Sequence, residues 1–190
     1  MKEKIAKLIS VLTVVPIVAF FSVTLLYLNF RKDFKSVGWY LYSIFFLTLT
    51  PLLAYPLKKI LPGFKDQGRD GERKLAFILA VSSYILGTIL VFILRAPVIV
   101  EKIFSAYIAS GGMLAFVNKI VKVKASGHAC GVSGPITLLY NFLGASALWL
   151  FLLLPVVFWA RIKLKRHSFK DLVTGTLVGI LSTVIALGFF

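Results

Sequence analysis

The chain has 190 residues, 59% of them hydrophobic and 14% aromatic, with 22 Lys and Arg against 7 Asp and Glu for a formal charge of +15; its mean hydropathy is +0.92. This composition excludes a soluble domain, and because the apolar residues fall in long blocks the chain reads as an integral membrane protein. The basic excess fits membrane lipids with anionic headgroups or an anionic substrate, and needs no nucleic acid to explain it.

Apolar blocks of about 17 to 25 residues are expected to cross the bilayer as helices, since in hydrocarbon each backbone N–H and C=O must be paired within its own segment. The first block, Leu8 to Asn29, follows a basic start with Lys2, Lys4 and Lys7. It is too long for a cleaved signal and no small-residue cleavage site follows, so it is expected to stay as an anchor helix. The second runs from about Val37 to Leu57, with Pro51 and Pro56 near its end. The third and fourth, Leu75 to Leu94 and about Val98 to Val121, are separated by the short turn Arg95 to Pro97. Arg95 can snorkel there and Pro97 can open the next helix.

The run from Ala129 to Phe158 decides the topology. A single helix from His128 to His167 would rise roughly 58 Å, against a hydrocarbon core of about 30 Å. A break is therefore expected at Asn141 to Gly144, whose Asn and Gly suit a turn, and two short crossings bring His167 back to the face of His128. The last block is Leu172 to Phe190. The expectation is an all-α polytopic bundle forming one domain over residues 1–190, with seven helices, or six if the third and fourth blocks are not both full crossings.

Five basic residues, Arg31, Lys32, Lys35, Arg95 and Lys102, then fall on one side and the other 17 of the 22 on the opposite side. The positive-inside rule makes the richer side cytoplasmic. Both histidines lie on that side at helix starts, each after a basic cluster. Asp171 follows His167 by four residues, so if the last helix begins near Ser168 the pair shares one helical face. A carboxylate there can hold one imidazole nitrogen and leave the other to act as nucleophile or base. In Lys124 to Gly131, "KASGHACG", a lysine, a hydroxyl and a glycine stand at the mouth of a helix, where backbone N–H groups favour an anion. Two histidines, an aspartate and fixed cations suit a phosphate ester: one histidine attacks phosphorus, the other protonates the leaving oxygen, and the cations hold the equatorial oxygens. No metal or other cofactor is demanded.

The segments "ARIKLKRHSFKD" and "ASGH" have the Arg-x5-His-x3-Asp and Ser-Gly-His spacing of the type 2 phosphatidic acid phosphatase superfamily, which includes the vanadium haloperoxidases. The spacing of 39 residues from one histidine to the other and the small residues of "DLVTGTLVG" are also similar, and the resemblance covers about Asn118 to Gly179. It implies His167 as the nucleophile forming a phosphohistidine, Asp171 as its orienting partner and His128 as the general acid. Arg161, Lys124, Ser126 and Gly127 are implied as phosphate ligands. The chain departs from the family where a lysine and a distant Arg-Pro are usual: "NKIVKVKASGH" offers Lys124, with Lys122 in reserve. Ala125 and Ala160 stand where the family has Pro and Ser. The chain looks closer to a compact branch with Lys-x-Ser-x-His.

Other features have simpler roles. Lys163 and Lys165 read as membrane anchors, while Arg166 could touch substrate or headgroup. The polar segment Lys65 to Lys74 reads as a solvated loop in which Arg69 and Arg73 could close over a headgroup. Gly175 and Gly179 form a Gly-x3-Gly pair suited to helix packing, and Cys130, the one cysteine, reads as a small helix residue. The leading expectation is a metal-independent lipid phosphate or diphosphate phosphatase, with phosphatidic acid, phosphatidylglycerophosphate or a polyprenyl diphosphate as substrate. Against it stand a non-catalytic lipid-binding protein or transporter, and a CDP-alcohol phosphotransferase suggested by Asp66, Asp70 and Gly71. The latter lacks the further aspartates it would need on the next helix.

Overall fold

The computed structural model describes the backbone of residues 1–190 and every side chain except those of Arg69 and Arg73, so the headgroup role expected of those two lies outside the described residues. The helices are α1 (Lys2–Leu12), α2 (Val15–Asn29), α3 (Val37–Leu57), α4 (Gly68–Ile93), α5 (Val98–Lys119), α6 (Gly127–Leu143), α7 (Leu153–Lys163) and α8 (Phe169–Leu187), with a 3-10 segment, Gly144–Leu152, leading into α7. Among the described residues there is no strand. Among those residues, five helical stretches are long and apolar enough to cross a membrane, or six if the bent α1–α2 pair is one span.

The exterior of the bundle is apolar: Phe21, Leu28, Ile93, Leu152 and Ile185 are all exposed. Its interior is rich in small and hydroxyl residues, with Ser22, Ser43, Thr48, Ser83, Ser133 and Thr183 all buried. This inverts the pattern of a water-soluble domain and fits a bundle solvated by lipid, where helices associate through close packing and interhelical hydrogen bonds. Thr48 Oγ1 donates to the Pro16 carbonyl at 3.1 Å and Tyr42 Oη to the Gly87 carbonyl at 2.7 Å, tying α3 to α2 and α4. Between them lies an aromatic and aliphatic core of Leu26, Phe34, Leu47, Ile103 and Phe104.

Prolines explain two departures from straight helices. The block expected as one anchor from Leu8 to Asn29 is instead α1 and α2, meeting at 57°. Pro16 has no N–H for the Leu12 carbonyl and its ring would strike that carbonyl, so α1 stops at Leu12 and Pro16 takes the first turn of α2. In α3, Pro51 cannot donate to Leu47. The preceding turn widens to a π-turn over Phe45–Leu49, and Thr50 Oγ1 donates to the Phe45 carbonyl at 3.0 Å. A third departure is at the polar segment Lys65 to Lys74, which is not wholly a loop: α4 begins at Gly68, with Asp70 in its first turn, where a carboxylate complements the helix dipole.

The 37-residue stretch Gly127–Lys163 does not run straight. Gly144 takes φ +64°, the left-handed region a glycine enters freely, and the chain turns back there. Leu150 and Leu154 pack beside Val132, Ile136 and Val157, side by side in a hairpin. The break expected at Asn141 to Gly144 is thus at Gly144. Among the described residues, the bent first pair, α3, α4, α5, α6, the 3-10 segment with α7, and α8 count as seven rods.

The rods sort the charges onto two ends. At one end Lys32, Lys35 and Lys102 gather around Asp33, Pro97 and Phe142. The N-termini of α6 and α8 and the C-terminus of α7 meet at the other.

Candidate active site

α6 and α8 lie parallel and unusually close, and this seam positions both histidines. The Ser126 N–H donates to the Asp171 carbonyl at 2.8 Å, and Ser133 Oγ donates to the Thr176 carbonyl at 3.0 Å. A Cβ on Gly175 would stand 2.3 Å from the Ser126 carbonyl oxygen, and one on Gly179 would stand 2.7 Å from the Cys130 carbonyl oxygen. The Gly-x3-Gly pair therefore packs helices. Cys130 is buried, with its Sγ 3.9 Å from the Ser110 carbonyl of α5.

Local capping places His167. The sequence Ser-Phe-Lys-Asp forms a capping box: Ser168 Oγ accepts from the Asp171 N–H at 3.2 Å, while Asp171 Oδ2 accepts from the Ser168 N–H at 3.1 Å. Ser168 Oγ also donates to Asp171 Oδ1 at 2.7 Å. With the carboxylate fixed, its Oδ2 lies 3.2 Å from His167 Nδ1 and 3.3 Å from Lys124 Nζ. Asp171 thus selects the Nδ1–H tautomer of His167 and turns Nε2 away from itself as a lone-pair base. Burial lowers the His167 pKa below its ordinary 6.5; the Asp171 hydrogen bond opposes this, and the charges of Arg161 and Lys124 assist it. The net effect favours the neutral imidazole.

His128, in the first turn of α6, meets a residue that sequence reasoning missed. Its Nε2 is 3.1 Å from the Ser10 carbonyl of α1. Ser10 Oγ in turn accepts from Arg161 Nη1 at 2.8 Å and Arg166 Nη1 at 3.1 Å. Ser10 itself is 4% exposed. A single serine thus occupies the point where His128 and two guanidinium groups converge.

The expected ligands divide. Arg161, Arg166, His128, His167 and Asp171 come together. Lys124 is drawn to the same cluster through Asp171, and Asn118 secures its loop: Asn118 Oδ1 accepts from the Ala125 N–H at 3.0 Å and Nδ2 donates to the Ala125 carbonyl at 3.2 Å. Ser126 is fully buried and caps α6, its Oγ accepting from the Ala129 N–H at 3.4 Å. Gly127 opens α6 beside Leu114. Lys122, at φ +60°, is exposed, as are Lys163 and Lys165. Sequence reasoning missed Ser168 as well as Ser10: the Ser-x-x-Asp spacing is a signal that could have found the cap at Ser168, whereas Ser10, an isolated serine in a short helix, carries no such signal.

A cavity of about 680 Å³ adjoins this cluster, with Gly127 and His128 at one end and Tyr84, Tyr107 and Leu138 among its inner walls. Among the described residues no three His, Cys, Asp or Glu side chains come together as a metal site would need. The chain matches no family model, no curated protein and no solved structure.

Proposed function

We propose that this integral membrane protein is a lipid phosphate or diphosphate phosphatase working through a phosphohistidine. The observation that carries the proposal is the His167 Nδ1 to Asp171 Oδ2 contact at 3.2 Å, beside the converging Arg161, Arg166 and His128. In the proposed reaction, His167 Nε2 attacks phosphorus and the bond from phosphorus to the leaving oxygen breaks. That oxygen takes a proton from His128 in its imidazolium form, leaving His128 neutral. Water then attacks phosphorus, giving its proton to neutral His128 as the bond from phosphorus to His167 Nε2 breaks, which releases inorganic phosphate and restores His167.

Arg161 and Arg166 would hold the phosphate oxygens in place of Ser10 Oγ, and withdrawal of Ser10 would free His128 Nε2 for the leaving group. Lys124 would support the carboxylate and approach the phosphate edge. The site stands at the end of the bundle carrying most of the basic residues, which supports a cytoplasmic site in a cell membrane. Ser10 sitting on both arginines also favours a second reading, a lipid-binding protein without turnover.

Phosphate release from phosphatidic acid, phosphatidylglycerophosphate and a polyprenyl diphosphate in detergent with EDTA separates the two. The wild type should release phosphate, and His167→Ala should lose essentially all of it while keeping its thermal midpoint. Activity surviving in His167→Ala sinks the nucleophile assignment, and wild-type protein that binds these lipids without hydrolysing them leaves the second reading.

A further inference from the structure

Few groups hold α1 to the rest of the molecule. It rests against α7, and its two buried residues, Ala6 and Ser10, stand one turn apart on one side. The other sides are exposed: Ile5, Leu8 and Leu12 form an apolar stripe at i, i+3 and i+7, beside Lys2, Lys4 and Lys7. Lys7 pairs with Glu3 of the same helix at 3.0 Å. An apolar stripe flanked by lysines keeps a helix in the membrane interface whether or not its inner side is packed.

The link from α1 to α2 has the construction of a hinge. The backbone hydrogen bonds of α1 end with the Val14 N–H, which donates to the Val11 carbonyl at 3.3 Å. Those of α2 start at the Val14 carbonyl, which accepts from the Ile17 and Val18 N–H groups at 3.0 and 3.1 Å. Val14 itself is extended, with φ −67° and ψ 145°. Immediately beyond it the chain is fixed from two sides: Gly131 of α6 leaves no room for a Cβ against the Val15 side chain, and the Pro16 carbonyl accepts from Thr48 Oγ1 of α3 at 3.1 Å. A rotation at Val14 therefore swings α1 and leaves α2 in place. Val14, Val15 and Pro16 also line the cavity beside His128, so the pivot stands at the cavity wall.

What α1 covers is a set of groups suited to an anion. Ser10 Oγ is one neutral acceptor shared by Arg161 and Arg166, and the Ser10 carbonyl faces His128 Nε2. α1 carries three lysines against one glutamate, so it brings positive charge toward two guanidinium groups. A phosphate offers those groups opposite charge and paired acceptors, which a hydroxyl cannot.

We propose that α1 is a lid, hinged at Val14, that closes the cluster in the absence of ligand and is displaced when a phosphate group binds Arg161 and Arg166. The anion binds the open state alone, and that differential affinity moves the equilibrium. The lid rests on the reading of the cluster as a phosphate site but not on turnover, so inorganic phosphate serves as the probe.

Lys4 of α1 and Lys163 of α7 are both exposed. In a Cys130→Ala background, nitroxide labels on Lys4→Cys and Lys163→Cys report the separation of the two helices by double electron–electron resonance in detergent. Without phosphate one short distance should dominate. Saturating inorganic phosphate should move most molecules to a longer one, and potassium chloride at equal ionic strength should not. Ser10→Ala removes the hydroxyl that holds the lid and should lower the phosphate concentration for half-opening about three- to tenfold.

Distances unchanged by phosphate overturn the lid, whether phosphate binds beside a closed α1 or not at all. Opening by potassium chloride alone overturns it too, as does a half-opening concentration that Ser10→Ala leaves unaltered or raises. Opening by phosphate in a protein whose wild type hydrolyses no lipid phosphate retains the lid and discards the reaction; hydrolysis with an unmoved α1 does the reverse.

Discussion

The two halves of the candidate site are held in different ways. On one side, α6 and α8 share a seam in which backbone meets backbone, through Ser126 to Asp171 and past Gly175 and Gly179, and a capping box fixes Asp171 beside His167. On the other, Ser10 arrives on α1, a helix bent 57° from its successor, with Ile5, Leu8, Val11 and Leu12 all exposed. Small residues let helices approach until many weak contacts and interhelical hydrogen bonds act together. A short surface helix has only one packed side to hold it. The comparison teaches that the groups assigned to nucleophile and orienting carboxylate are built rigidly, whereas the group lying on the arginines belongs to the least secured helix touching the site.

Breaking the seam should have the largest effect. Alanine normally improves a helix interior by up to about 1 kcal/mol relative to glycine. At Gly175 the added Cβ would stand 2.3 Å from the Ser126 carbonyl oxygen, and backbone cannot step aside as a flexible side chain would. Gly175→Ala is therefore expected to destabilise the protein by about 3 kcal/mol, the upper end for overpacking. Gly112→Ala, where nothing lies within 4 Å of the new Cβ, should leave the melting temperature in detergent unchanged or raise it. Equal melting temperatures for the two variants would show that the seam gives when pushed.

Asp171→Asn sharpens the same half more gently. The amide cannot select the His167 tautomer as the carboxylate does, so kcat should fall about 100-fold, the lower bound for losing a positioned acid–base group. The pH profile carries the sign. Burial already places the His167 pKa below 6.5, so the acidic limb of kcat/KM in the wild type should fall below that value. Asp171 opposes the depression; without it the limb should move to still lower pH even as the rate drops. The same depression means that protonation favours the unfolded chain, so this histidine subtracts stability as pH falls below 6.5. A limb that moves upward in Asp171→Asn would contradict the assigned hydrogen bond.

The reach of the sequence follows the same division. The rods, the turn at Gly144, the Gly-x3-Gly seam and the His167–Asp171 pair were legible because each rests on local spacing: apolar length, turn residues, i to i+4 neighbours. The bend at Pro16 was partly legible, since the proline is plain, but the apolar run around it reads as continuous when length alone is weighed. Ser10 was not legible. It meets Arg161 and Arg166 across more than 150 positions of chain, and neither periodicity nor a motif relates a serine in α1 to arginines flanking the α7 turn.

The smallest expected effect concerns the less secured half. Ser10 Oγ takes one hydrogen bond from each of Arg161 and Arg166, so a phosphate reaching those guanidinium groups exchanges bonds already made rather than gaining them outright. Removing the hydroxyl takes away the competitor, and a hydrogen bond exchanged in this way has a net value of about 1 kcal/mol. Ser10→Ala should therefore lower KM for a lipid phosphate about three- to tenfold. The substitution retains the Ser10 carbonyl that meets His128 Nε2, so the change in KM reports the guanidinium contacts alone. Ser10→Thr keeps the hydroxyl and should restore the wild-type KM. A KM that rises in Ser10→Ala would mean that the serine steadies the arginines for substrate instead of standing in its place, and the two halves would then be parts of one preformed site.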